Sequence, residues 1–141
     1  MWSGNLVGDT KTREYIMRSK NEWNYLHMGN SYLPKYKNGK SWNDPNAQNY
    51  TLDEYTLQAP SNIKNYAEEV LKRSEVLQIT SAYHTKTEQR LIVDGVNRAI
   101  ALQRKVNSHE NIPEIRLLEC YGIHVDKSFP CDFANLVRGL D

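Results

Sequence analysis

The stretch RLIVDGVNRAIALQRKV, residues 90–106, limits the possible folds more than any other part of the chain. RLIVDG reads as a strand ending on Gly95. VNRAIALQRKV reads as a helix with Ile100, Ala101 and Val106 facing inward. Only Gly95 separates them, and its freedom of φ permits a tight strand-to-helix reversal and a close approach of backbone to backbone. A strand feeding directly into an amphipathic helix implies helix and sheet packed in layers.

The neighbouring segments extend this pattern. SNIKNYAEEVLKRS, opened by Pro60-Ser61, carries Ile63, Tyr66, Ala67, Val70 and Leu71 at helical spacing. VLQITSAYH is rich in β-branched residues and predicts a strand, joined to RLIV as a hairpin through the polar KTEQ turn. IPEIRLLECYG predicts a final strong strand. TLDEYTLQ, residues 51–58, reads as a short strand before the first of these helices. The expected order from residue 51 is β-α-β-β-α-β, and a short helix is expected around Asp132–Val137. The expected class is α+β, a small mixed sheet with packed helices.

Residues 1–50 differ in character. They hold Trp2, Trp23 and Trp42, all three tryptophans of the chain, with many Asn, Tyr and Gly. A helix is expected from Thr10 to Leu26, capped by Asp9 or Thr10, with Tyr15, Ile16, Ser19, Trp23 and Leu26 near one face and Gly29 as its stop. Residues 30–50, with Pro34, Gly39 and Pro45, read as loop. The organisation expected is therefore an aromatic-rich arm over 1–50 and a domain over 51–141.

Composition narrows the class. The chain has 141 residues, 39% apolar and 25% charged, which predicts a soluble globular domain of ordinary size. No apolar run is long enough to span a bilayer, and the N-terminus lacks the apolar core of a secretion signal, so a cytoplasmic site is expected. The net charge of +1 supplies no global field for nucleic acid. Cys120 and Cys131 form no CxxC pair and predict two reduced thiols.

The helix, strand, hairpin, DGVNR turn, helix and Pro-opened strand, taken in that order, resemble the ParB/sulfiredoxin-like superfamily over about half the chain. The resemblance implies that fold for residues 51–141. It also implies that the segment entering the first helix lies beside the DGxxR turn, so that Ser61, Asn62 and Lys64 would face the same cleft as Asp94–Arg98. In the serine-kinase-like branch a Glu after this proline acts as base and the turn reads DGHHR. Here Ser61 and Asn62 follow Pro60, and Val96 and Asn97 replace the two histidines. Sulfiredoxins place a catalytic Cys where Val96 stands. Partition ParB proteins carry a GERR-type turn and a helix-turn-helix region, for which few residues follow Gly122.

The chemistry of the turn can be argued from the residues themselves. The start of the helix after Gly95 offers unpaired N–H groups and a positive dipole end, where phosphate is a common guest. Asn97 could cap that helix or donate its amide to the ligand. Arg98 offers a planar fork for phosphate oxygens. Asp94 would repel a bare phosphate, and suits Mg²⁺ or a substrate hydroxyl. The alternative is that Asp94 and Gly95 make only a turn, that Arg98 pairs with a neighbouring carboxylate and that Ser61 is only an N-cap.

Other constellations are weaker. Asn38-Gly39-Lys40-Ser41 resembles the end of a P-loop but lacks its first Gly and its preceding strand. Ser61 and Lys64 match S-x-x-K without its companion motifs. Cys120, His124, Asp126 and Cys131 fit no common zinc spacing. His84 is expected half-exposed at a strand end, and Glu68 and Glu69 on a helix surface. Asp53 and Glu54 are placed to approach the cleft from the side. Tyr25, Tyr32, Tyr36, Tyr50 and Tyr55 interleave with Lys35, Lys37 and Lys40, a pattern that either stacks single-stranded nucleic acid or anchors the arm by packing, the latter favoured.

Two functional expectations follow. In the first, a nucleotide (ATP, ADP or CTP) or other phosphorylated small molecule sits with Mg²⁺ at the turn, for phosphoryl transfer or nucleotide hydrolysis. Asp94, Asn62 and Ser61 are then the catalytic candidates. Gly95, Val96, Asn97, Arg98 and Lys64 bind the nucleotide, and Asp94 ligates the metal. In the second, the fold is a non-catalytic module recognising DNA or a protein through its aromatic arm.

Overall fold

The computed structural model describes residues 11–40, 44, 46–75, 77–85 and 87–123. KTREYIM, within the segment expected to be helical, forms strand β1 (Lys11–Met17). Its two-residue alternation wins over the helical spacing. Arg13, Tyr15 and Met17 point to one face, and Met17 is fully buried. The helix starts only after Ser19, whose hydroxyl accepts a hydrogen bond from the Glu22 amide, and α1 (Lys20–Tyr25) is short.

The stretch expected as loop supplies β2 (Tyr32–Tyr36) and β3 (Asn49–Thr51), with 3-10 turns at Met28–Asn30 and Lys37–Gly39. The segment read as a short strand is instead helix α2 (Leu52–Gln58). A capping box decides this. The Thr51 hydroxyl accepts from the Glu54 amide, and the Glu54 carboxylate accepts from the Thr51 amide at 3.0 Å. From there the expected elements appear: α3 (Ser61–Arg73), β4 (Gln78–His84), β5 (Gln89–Asp94), α4 (Val96–Asn107) and β6 (Ile115–Ile123). The helix expected at Asp132–Val137 lies outside the described residues.

The result is an α+β architecture with a six-stranded mixed sheet in the order β1-β6-β4-β5-β2-β3. β6 runs parallel to β4 and antiparallel to β1, β4 and β5 form the expected hairpin, and β2 joins β5 in parallel. The two edges of the sheet therefore come from the first 51 residues. Their strands complete the sheet that the DGVNR segment begins.

One face of the sheet carries Met17, Ile79, Ile92, Ile115 and Leu117 into a shared core with Trp23, Leu52, Ala67, Leu71, Ile100 and Leu102 of the helices. Each fully buried aliphatic side chain there contributes about 1.5–3 kcal/mol. α4 is central to this layer, with Ala99 through Gln103 and Val106 all buried. The indole N–H of Trp23 donates to the Gln103 side-chain oxygen at 2.8 Å, which satisfies both buried polar groups. No helix among the described residues is long and apolar enough to cross a membrane.

Candidate functional site

The DGVNR corner has the expected backbone form. Gly95 adopts φ +80° and precedes α4, which opens with no side-chain cap. A Cβ at Gly95 would lie 2.9 Å from the Gln78 carbonyl oxygen, so the glycine allows the turn to press against β4. Asp94 is exposed, and Val96 and Asn97 are half-buried.

Arg98 faces the protein. Its Nε donates to the Ser74 hydroxyl at 3.0 Å, and its Nη1 donates to the Gln78 carbonyl at 3.0 Å. The guanidinium thereby ties the start of α4 to the link between α3 and β4. One helical stretch further on, Arg104 pairs with Glu68 at 3.1 Å. These two contacts make α3 and α4 antiparallel neighbours. The 13 residues of α3 span about 20 Å at roughly 1.5 Å per residue, which sets Ser61 and Asn62 about that far from the corner along the helix, and Lys64 about 14 Å. The structure does not bring the two expected walls together. Ser61 and Asn62 are exposed in the first turn of α3, and Lys64 is half-buried.

Several other candidates have plain structural partners. Glu54 is held in the capping box and by Lys37 at 2.8 Å, and the Lys37 bond, followed by that of the Thr51 backbone, holds its carboxyl below the usual range. Lys40 contacts Asp44 at 3.4 Å. His84 is buried rather than half-exposed, because its ring Nδ1 closes the hairpin by accepting from the Thr87 amide at 3.2 Å. Lys35 and Lys37 stand over the rings of Tyr55 and Tyr50 at 5.0 and 5.8 Å, covering faces on which a base would stack. Cys120 is buried, and burial, with the nearby Glu119 charge, pushes its thiol up. His124, Asp126, Cys131 and Ser41 lie outside the described residues. Among the described residues no three His, Cys, Asp or Glu side chains cluster to hold a metal.

The chief constellation lies elsewhere. The inward rows of β1, β6, β4 and β5 that are apolar under the helices become polar toward the other end of the sheet. There Arg13, Glu119, Ser81 and Arg90 come together. Glu119 is fully buried in β6. Its Oε1 accepts from Arg13 Nε at 3.0 Å and Nη2 at 2.8 Å. Its Oε2 accepts from Ser81 Oγ at 2.8 Å and from Arg90 Nε. Burial works to raise the Glu119 carboxyl, but the bonds and charge of Arg90, with the bonds of Ser81 and Arg13, outweigh it and hold the group below the ordinary carboxylate range. Arg90 Nη1 also donates to the Leu26 carbonyl at 2.8 Å, which anchors the segment after α1. Arg13 lies 4.4 Å from the Tyr121 ring centre and 4.9 Å from that of Tyr83.

Arg13 and Arg90, with Glu119 beneath them, floor a cleft of about 630 Å³. Tyr15, Tyr25, Tyr32 and Tyr83 wall it, and His27 and Ser31 lie on the α1–β2 side. The volume suits a small organic ligand. Two arginines and one carboxylate leave one formal positive charge at the floor; among the described residues lining the cleft, the opposing charge is Glu88, which is exposed on the hairpin turn. Ser31 is buried and its hydroxyl has no hydrogen-bond partner among the described residues. A buried polar group in that state costs about 1–3 kcal/mol.

These residues escaped the sequence reading because no local motif joins them. One signal was present. LLECY puts Glu119 in the same inward row as Leu117, and an acid in such a row requires a buried partner. No protein-family model, curated protein or solved structure matches this chain.

Proposed function

We propose that the protein binds a phosphate-bearing organic ligand in the cleft over Arg13, Glu119 and Arg90. The observation that carries this reading is the surplus positive charge of a largely buried Arg–Glu–Arg group at the floor of a cavity of ligand size. A charge held away from water gains more from a counter-ion than an exposed one does. At about 4 Å, with an effective dielectric constant of about 20, the attraction is on the order of 4 kcal/mol before desolvation is subtracted. The unpartnered Ser31 hydroxyl offers a donor for a phosphate oxygen, and the tyrosines offer flat apolar walls with polar tips. The reading is one of binding. The residues expected to catalyse stand at opposite ends of the α3–α4 pair.

A second reading keeps the phosphate at the DGVNR corner, in the manner of the ParB/sulfiredoxin-like superfamily, with Mg²⁺ on Asp94 and ATP, ADP or CTP as ligand. It is favoured by the absence of a side-chain cap on α4, which leaves the Val96 and Asn97 amides for an anion. Arg98 takes no part in it.

Calorimetric titration with a nucleoside monophosphate and with inorganic phosphate distinguishes the two, repeated on Arg13→Gln and Asp94→Asn. Binding in the cleft falls at least tenfold in Arg13→Gln, weakens as salt rises and ignores Asp94. Binding that depends on Mg²⁺ and Asp94 but not on Arg13 would select the corner. Thermal unfolding of each variant shows that it is folded.

A further inference from the structure

Resting on the cleft reading, we infer that the organic part of the ligand is apolar and lodges in a groove that continues the cleft around Tyr15 and Tyr25. A second cavity of about 400 Å³ adjoins the first and shares with it Tyr15, Tyr25 and Leu26. Its remaining apolar lining is Ile16 and Met17, with Asn21 and Glu22 at the α1 side. Joined along these shared residues, the two spaces would make one bent channel for a ligand. Its cationic end is Arg13 and Arg90, and its apolar end lies between the edge strand β1 and α1. Tyr25 stands at the join and is 82% exposed, so a ligand spanning the two spaces would meet its ring. An amphipathic phosphate ester fits both ends: its phosphate meets the surplus positive charge, and its chain covers Tyr25 and Ile16. A polar sugar would leave the groove wet and bring its hydroxyls against Ile16 and Leu26, with Asn21 and Glu22 as side-chain partners only along the α1 side.

The test is a titration series of inorganic phosphate, methyl, butyl and octyl phosphate, and adenosine monophosphate, on the full chain. The expected result is affinity rising about threefold to fourfold for each of the first few methylenes and then levelling once the groove is full. Adenosine monophosphate should fall below butyl phosphate. Ile16→Ser should flatten the chain-length dependence and leave inorganic phosphate unchanged, and Tyr25→Ala, at a residue that also borders the phosphate cleft, should flatten the same dependence. Tyr25 is exposed, so its replacement keeps the test alive if Ile16→Ser fails to fold. If phosphate binds and butyl phosphate gains nothing over methyl, the apolar groove is wrong while the cleft reading stands. If adenosine monophosphate binds tighter than butyl phosphate through Arg13, the ligand is a nucleotide and the inference fails. If no phosphate compound binds, the cleft reading falls and the inference falls with it.

Discussion

The guanidinium of Arg98 donates to the hydroxyl of Ser74 at 3.0 Å, so the arginine of the DGVNR turn is spent on holding α3 and α4 together. Its second bond, to the Gln78 carbonyl, fixes the start of β4 to the same point. Arg98→Ala should therefore lower stability by about 1.5–3 kcal/mol in urea unfolding, the usual cost of losing charged hydrogen bonds. Phosphate affinity should not change. A variant of unaltered stability with weakened binding would return Arg98 to the ligand.

Glu119 is the one carboxylate between two arginines, and its removal leaves both without a counter-charge in a place largely shielded from water. Glu119→Gln should destabilise by about 3–5 kcal/mol, as breaking a buried pair from one side does. The pH dependence has a definite sign. Because the folded carboxyl titrates lower than the ordinary value of 4.5, its contribution is complete above about that pH. It is lost as pH falls through the lower folded value. Denaturation midpoints measured downward from pH 5 should show this loss in the wild type and a shallower one in Glu119→Gln.

Two glycines with positive φ separate conformational strain from crowding. Gly39, at φ +67°, has no atom of the described residues within 4 Å of an added Cβ, whereas at Gly95 the Gln78 oxygen is 2.9 Å away. Gly39→Ala should cost about 1–2 kcal/mol from backbone strain alone. Gly95→Ala should cost about 1–3 kcal/mol more, because a backbone atom must shift. Equal losses in chemical denaturation would mean that β4 yields freely at this point.

Trp23 and Gln103 meet across 80 positions of sequence through one buried hydrogen bond. Trp23→Phe keeps an aromatic ring but strands the Gln103 oxygen. A loss of about 1–3 kcal/mol is expected, together with the disappearance of the buried indole signal in fluorescence.

The chain by itself specified the segments whose local chemistry agrees with their surroundings. SNIKNYAEEVLKRS and VNRAIALQRKV have one apolar stripe each, and VLQITSAYH and RLIVDG are β-branched and bounded by turn residues, so helix, strand and hairpin were legible there. Where two periods overlap the local signal misled. Tyr15, Ile16, Ser19 and Trp23 fit a helix face, while Arg13, Tyr15 and Met17 fit a strand, and pairing with β6 decided between them. TLDEYTLQ carried its answer in the Thr51–Glu54 capping box, a signature that outweighs its β-like composition.

The cleft belongs to the tertiary structure alone. Arg13 and Glu119 are 106 positions apart, Ser81 and Glu119 are 38, and Arg90 and Glu119 are 29. Nothing local relates them. They meet because the register of four strands puts all of them in inward rows at one end of the sheet, beyond the apolar core. The sequence determined which segments could be strands and helices. Long-range strand pairing and the antiparallel seating of α3 on α4 decided which charged groups became neighbours. Hydrogen bonds between strands depend on register, and register is set by burial of whole faces rather than by any short motif.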